Sequence, residues 1–471
     1  MRTIGMGFVA LGVLWGTWAG ADYVMTGADP ANSGVSPTVL APPFSLAWSF
    51  QARQYDGNPC PVLIAEGKAL VSARNVIYCL DAETGAEIWR YPSKGFMSST
   101  IRTSPVLAEG QIIVPLLSGE LTAFSLEDGS QVWTFEGKKP IRSAAAVADG
   151  VVYFGNSANE LYAIDAASGA SRWAEPFKVG EDVMSRPVVA GGRVFVCSRD
   201  NYAYGADAKS GKGLWRARVP YPTREMSPAV SGQMLIVPTE HAILGMLAAS
   251  GGVRWQYLVK STVTTSVAAG ERYVYFGTKE GEFYCIDVRG QEVWKKDLGE
   301  RIYSQPAISG DTVFVGTIGG TVYGFDAGKG DLQWRYQFQP IKASESKWIA
   351  QGCYAPFSID GDNLFVLTDL GWVYRFQKTI PDRGEPDIST LRPKPDKEIP
   401  GRPPVEFSAF IRDEGSGVDA SSIRMTLDGE QVEHEYDEIT GKLTYKTPVT
   451  QPVVPLSDGL HSVVVTACDW A

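Results

Sequence analysis

The chain has 471 residues, with 43 Lys and Arg against 53 Asp and Glu, a net charge of −10. That balance excludes the basic face a nucleic-acid binder needs. No internal run reaches about 18 apolar residues, so the mature chain is expected without a membrane span. Its Gly (50), Pro (29) and Trp (13) suit many short strands joined by tight turns.

Met1-Arg2-Thr3 is a short basic start, Ile4 to Trp18 is apolar, and Ala19-Gly20-Ala21 is a small-x-small site. Residues 1–21 are therefore expected to be a cleavable signal peptide, with an uncleaved anchor as the alternative. Export to the periplasm or cell surface follows. No Cys precedes Cys60, so no thiol lies beside the cleavage site to be acylated.

From here one unit repeats. Trp recurs at 48, 89, 133, 173, 215, 255, 294 and 334. The text before it is nearly constant: IYCLDAETGAEIW at 77–89, LYAIDAASGASRW at 161–173, VYGFDAGKGDLQW at 322–334. The residues before the Asp alternate as a strand does. Asp81, Asp165, Asp207, Asp287 and Asp326 open a turn, where a carboxylate can accept backbone N–H groups. Gly85, Gly129, Gly169, Gly211, Gly251, Gly290 and Gly330 close it, where a positive φ is cheap for Gly. Ser125 and Leu247 replace the Asp in two copies, which predicts looser turns there. Each period also holds an earlier strand–turn–strand, as in SPVLAEGQIIVPL at 104–116.

Four antiparallel strands in about 40 residues make a propeller blade. The predicted fold is thus all-β: an eight-bladed propeller over residues 22–377. The last copy, beginning near Cys353, lacks its Trp strand, and FSLAWSF at 44–50 is a Trp strand with no hairpin before it. Pairing the two would close the ring and remove its open edge; an open solenoid is the alternative. The closed ring is expected to act as a monomer. Cys60 and Cys353 precede first strands in blades that would become neighbours, so they are either a latching disulfide or two separate thiols. Cys79 and Cys285 share one repeat position and read as small buried hydrophobes.

The A-x-D-x-x-[ST]-G-x-x-x-W unit resembles the tryptophan-docking repeat of PQQ-like β-propellers, a superfamily that includes quinoprotein alcohol dehydrogenases and BamB-like outer-membrane assembly proteins. The segment GADPANSGVSP at 27–37 is similar to the lead-in of exported members. The resemblance spans roughly residues 27–377 and implies fold more firmly than function. Quinoprotein members carry an adjacent-Cys disulfide against PQQ, and calcium held by Glu, Asn and Asp. This sequence has no adjacent Cys pair. No cofactor is therefore expected, PQQ with calcium being the alternative.

Residues 378–404 are rich in Pro and charge and read as a spacer. Alternating strands follow at 405–413, 421–432, 441–447 and 461–470, with Asp428-Gly429 as a hairpin signal. Residues 405–471 resemble a bacterial Ig-like or fibronectin-like sandwich, shorter than a full one, as if cut from a longer protein. From Lys378 onward, 10 Lys and Arg face 17 Asp and Glu, so −7 of the −10 lies here. The acidic turn Asp413 to Asp419 lacks EF-hand spacing, and no metal is expected.

No catalytic constellation stands out. His241, His434 and His461 are the only His, and no G-x-S-x-G elbow or phosphate loop accompanies them. Arg102, Arg142, Arg186, Arg224 and Arg301 each lie at or just before a blade's first strand, with Tyr221, Tyr303 and Tyr354 in matching places. These eight residues are the candidate site, a funnel at one mouth of the channel that would take carboxylates or phosphates. The expected function is an exported scaffold for a protein or peptide partner in the cell envelope. A PQQ- or anion-binding enzyme and a surface sensor or adhesion protein are the alternatives.

Overall fold

The computed structural model describes residues 23–52, 60–344, 347–378, 385–394, 398, 404–413, 418–437, 441–448 and 461–469. The expected signal peptide lies outside them, as do residues 414–417 of the acidic turn.

Eight four-stranded antiparallel sheets form the ring. Blade 1 consists of Leu63–Ala65, Lys68–Ala73, Val76–Asp81 and Glu87–Tyr91, and six more blades repeat that order through Leu332–Gln337. First strands of neighbouring blades contact one another, so they line the axis. The middle strands are buried on both faces because blades cover each other. In blade 2, Gln111–Pro115 and Glu120–Ser125 are almost wholly buried, while the outermost Gln131–Glu136 alternates with solvent.

Blade 8 closes the circle as the sequence implies. Ser45–Gln51 pairs antiparallel with Trp372–Gln377, placing Trp48 opposite Arg375 and Ser49 opposite Tyr374. Arg375, nearly fully buried, ties this blade to blade 1 through the Glu83 carbonyl and, at 2.7 Å, its carboxylate.

One contact repeats at seven seams. Trp48, Trp89, Trp133, Trp173, Trp215, Trp255 and Trp294 each donate Nε1–H to a backbone carbonyl of the next blade, at 2.9–3.2 Å. Each ring lies flat on the turn glycine of that blade. A Cβ at Gly211 would sit 2.7 Å from the Trp173 ring, and Gly211 has φ +72°. Two constraints, conformation and space, therefore require glycine there. The turn aspartates act as predicted: Asp81 Oδ1 accepts Thr84 N–H at 2.8 Å and its hydroxyl at 2.7 Å. In the Ser125 copy the bond equivalent to that of Thr84 N–H, from Asp128 N–H to Ser125 Oγ, lengthens to 3.4 Å.

The cysteines do not latch the ring. No disulfide joins Cys60 to Cys353: Cys60 packs into the core of blades 1 and 8, Cys353 into that of blades 7 and 8 against Gly316. Aromatic packing and Arg375 hold the closure instead.

The C-terminal region builds two sheets. Asp387–Arg392, Glu406–Arg412, Lys442–Lys446 and Glu435–Asp437 form one; Glu430–Gln431, Val418–Leu427 and Val463–Asp469 form the other. They share a core of Phe407, Ile411, Ile423, Met425 and Leu443. Residues 378–404 are thus not all spacer: Asp387–Arg392 is an edge strand whose Ile388 packs on that core. Asp428 and Gly429, at φ +51° and +86°, make the expected hairpin turn.

Candidate functional site: a floored axial funnel

The segment read from sequence as a lead-in enters the ring. Residues 23–36 run across the axis as a strap. The carbonyls of Tyr23, Val24, Pro30, Ala31, Ser33 and Gly34 accept N–H groups of Ile64, Leu107, Val189, Val230, Ala269 and Ile308, each in the first strand of a different blade. Small residues are needed because the space is narrow: a Cβ at Gly34 would lie 2.8 Å from the Ala268 side chain. Further on, Leu40 N–H meets Ser309 Oγ and Val39 packs over Gly310, so the strap leaves across the first turn of blade 7.

Asn32 is the strap's pivot. Fully buried at φ +56°, a conformation Asn tolerates, it donates to Pro228 O at 2.7 Å and accepts from Gln305 Nε2 and Arg186. Arg186 points into this floor. Its guanidinium reaches Asn32 Oδ1 at 2.9 Å and Asp29 O at 2.7 Å, and it is 2 % exposed. Burial brings its pKa down to about 10 and pushes the Asp29 carboxyl above the usual range.

The five predicted arginines therefore do not form one ring. Isolated bridges at the start of five blades fix the register there: Ile101, Ile141, Val183, Val263 and Ile302 pair with residues at or just past the ends of their second strands. Arg102, Arg142 and Tyr303 each follow such a residue and are equivalent. Arg186 comes three residues after Val183, one level deeper, and is corrected from mouth to floor. Arg224 pairs with Glu240. Arg102, Arg142 and Arg301 are exposed, and none of the three has an ion pair among the described residues.

Across the mouth, Tyr303 and Tyr354 stack with centroids 5.4 Å apart, while Tyr221 packs edge-on against His241. Burial raises the Tyr354 pKa, with Asp369 adding to the rise and Arg301 opposing it, which places an acid beside this side of the mouth. The turns between second and third strands border the same face, as where Asn75 Nδ2 holds Met97 O and Ser99 O. The site is a funnel with a sealed floor, two equivalent arginines on one wall and a tyrosine stack on another.

The cysteine pattern of the quinoprotein members is not repeated here. No two cysteines adjoin, and Cys79, Cys197, Cys285 and Cys353 are buried in blade cores, where burial pushes the Cys79, Cys197 and Cys285 thiols up to about 12. Among the described residues no three His, Cys, Asp or Glu cluster as metal ligands. No described helix is long and apolar enough to cross a membrane.

Comparison with known proteins agrees with the fold. BamB from Moraxella catarrhalis superposes with a TM-score of 0.58 at 16% identity, covering 72% of this chain and 99% of that one. Quinohemoprotein alcohol dehydrogenase from Comamonas testosteroni superposes at 0.60 and 15% identity, covering 79% and 82%. In sequence, outer membrane protein assembly factor BamB from Xanthomonas campestris is 32% identical over 54% of this chain and 68% of its own length. The Salmonella typhimurium protein of that name is 32% identical over 45% and 60%. The Comamonas dehydrogenase is 30% identical over 29% of this chain, but the match spans only 23% of that enzyme. The family model described as outer membrane protein assembly factor BamB matches residues 45–177, 117–267 and 242–369. Those matches overlap to cover well over half the chain, which therefore belongs to the BamB-like family of PQQ-repeat β-propellers.

Proposed function

We propose that this protein is an exported scaffold of the cell envelope, facing the periplasm, that holds an acidic segment of a protein partner at its funnel mouth. The observation that carries this reading is the floor. With residues 23–36 and Arg186 filling the axis, the exposed Arg102, Arg142 and Arg301 form a shallow, rigid cationic surface. Such a surface suits docking more than enclosure of a small substrate. Relatives named as outer membrane assembly factors support a scaffolding role. A partner presenting Asp or Glu would meet guanidinium groups that pair with carboxylates bidentately.

The test compares capture of envelope proteins by the natural chain and by Arg102→Glu/Arg142→Glu. Loss of a specific partner, with unfolding unchanged, is expected. Equal capture by both would overturn the reading.

A second reading, a quinoprotein-like enzyme, draws on the equally similar dehydrogenases. Adding PQQ and calcium and following absorbance and dye-linked alcohol oxidation separates the two. Turnover would replace the scaffold reading.

A further inference from the structure

Charge on blades 2 and 3 is sorted by face. Residues 92–105 and 137–145 lead into the first strands of these blades, and neither loop contains an Asp or Glu. Lys94, Arg102, Lys138, Lys139 and Arg142 stand on the two loops, all exposed and without an ion pair among the described residues. The acids that follow the adjoining turns are held: Glu120 accepts the Ser118 hydroxyl at 3.1 Å, and Glu160 accepts the Tyr162 hydroxyl at 2.6 Å. On the opposite face, the turns of the same blades expose Glu109, Glu127, Asp128 and Asp149.

The two loops lie side by side on the turns between second and third strands. Met97 and Ile101 N–H meet the carbonyls of Asn75 and Arg74, Leu117 N–H meets Thr100 O, and Gly137 N–H meets Gly119 O, at 2.6–3.0 Å. Ser118 N–H reaches Ser99 Oγ at 2.9 Å, and a Cβ at Gly119 would lie 2.7 Å from Lys139 O. The turn at residues 117–119 therefore touches both loops and sets their cations on one reachable surface, continuous with the mouth through Arg102 and Arg142. At the tip of the first loop stands Phe96, 56 % exposed and the one exposed aromatic side chain among the described residues. A fixed aromatic ring beside unpaired cations has the make-up of an interface anchor.

We propose that this surface is the outer part of the docking site, and that its occupant is an extended protein segment with an apolar side chain next to several Asp or Glu residues. The proposal rests on the scaffold reading and carries it outward from the mouth. The apolar group would cover Phe96, and the carboxylates would meet Arg102, Lys138, Lys139 and Arg142. Acids on the opposite face would steer such a segment to this one. A flat anionic membrane suits the face less well. Beyond blade 3 the same face exposes Glu181, Glu225 and Glu280 among Arg199, Lys260 and Lys279, and lipid charge would press on those acids.

The experiment titrates the full chain into a fluorescent, acetylated and amidated peptide of alternating Glu and Ser with one central Phe, and reads anisotropy. Saturable binding that weakens with salt is expected, and a peptide with Gln for Glu should bind about tenfold more weakly or worse. Lys138→Gln/Lys139→Gln should weaken binding about fivefold. Phe96→Ala should do the same, with little effect on a peptide that has Ala for Phe. Both variants should unfold thermally like the natural chain. No saturable binding, or binding unaltered in both variants, would overturn the proposal. So would sedimentation with phosphatidylglycerol vesicles that is lost in these variants, which would assign a membrane. Envelope-protein capture lost in Arg102→Glu/Arg142→Glu but kept in both of these variants would overturn this inference alone; capture kept in all three would overturn the scaffold reading with it.

Discussion

Seven seams of the ring are made by one contact, and the eighth is made by others. At the seven, an indole lies on a glycine and its N–H meets a carbonyl of the same turn. At the seam between blades 7 and 8 the turn does not exist, and Trp334 is held by Phe44 and Phe376. The contrast separates two jobs of the tryptophan. Its ring fills the wedge between sheets wherever it stands, whereas its N–H and the facing glycine work only as a pair.

The sharpest way to break this comparison is steric. Gly211→Ala is expected to cost about 3 kcal/mol, since a Cβ meets the Trp173 ring in a positive-φ turn. Gly67→Ala, at a similar φ of +71° but with open space around it, should cost only about 1 kcal/mol. Denaturant unfolding of both variants checks it. Equal losses would mean that conformation alone requires the turn glycines.

A smaller effect separates the tryptophans themselves. Trp255→Phe leaves Val288 O without the donor it now meets at 2.9 Å, and should cost about 2–3 kcal/mol. Trp334→Phe removes a donor that has no acceptor among the described residues, so its cost should be lower by about 1–2 kcal/mol. Thermal unfolding of the pair measures the difference.

The smallest effects lie in the turn residues. Leu247→Asp should add the carboxylate cap that the other copies have, raising stability by about 0.5 kcal/mol. Hydrogen bonds from the Thr84 and Ser168 side chains hold Asp81 and Asp165 below the usual carboxylate range. Lowered folded-state values mean stability that is present at neutral pH and lost as pH falls below about 4. Both groups are solvent-facing, so the loss should be slight, and Asp81→Asn should flatten that limb of the stability–pH curve.

Much of this was legible in the sequence because a repeat writes its contacts many times. The tryptophan period, the turn Asp and Gly, and the orphan strand at Trp48 all led to the closed ring. What occurs once was not legible. The strap GADPANSG has no periodicity, and its small residues look like a linker until the width of the axis is known. Arg186 was grouped with Arg102 and Arg142 by nearness to a first strand, yet a shift of a few residues moves a side chain from mouth to floor. Ile388 was hidden among prolines and charges, with too short an alternation to stand out. Trp334 shows the regular motif in sequence, and only the absent hairpin of blade 8, at the far end of the fold, changes its surroundings.

The floor is the claim on which the functional account turns, and amide hydrogen exchange read by mass spectrometry tests it most directly. The account predicts that Ile64, Leu107, Val189, Val230, Ala269 and Ile308 exchange slowly, and that residues 28–36 are protected with them. Rapid exchange across residues 28–36 in an otherwise protected ring would show an open axis and contradict it.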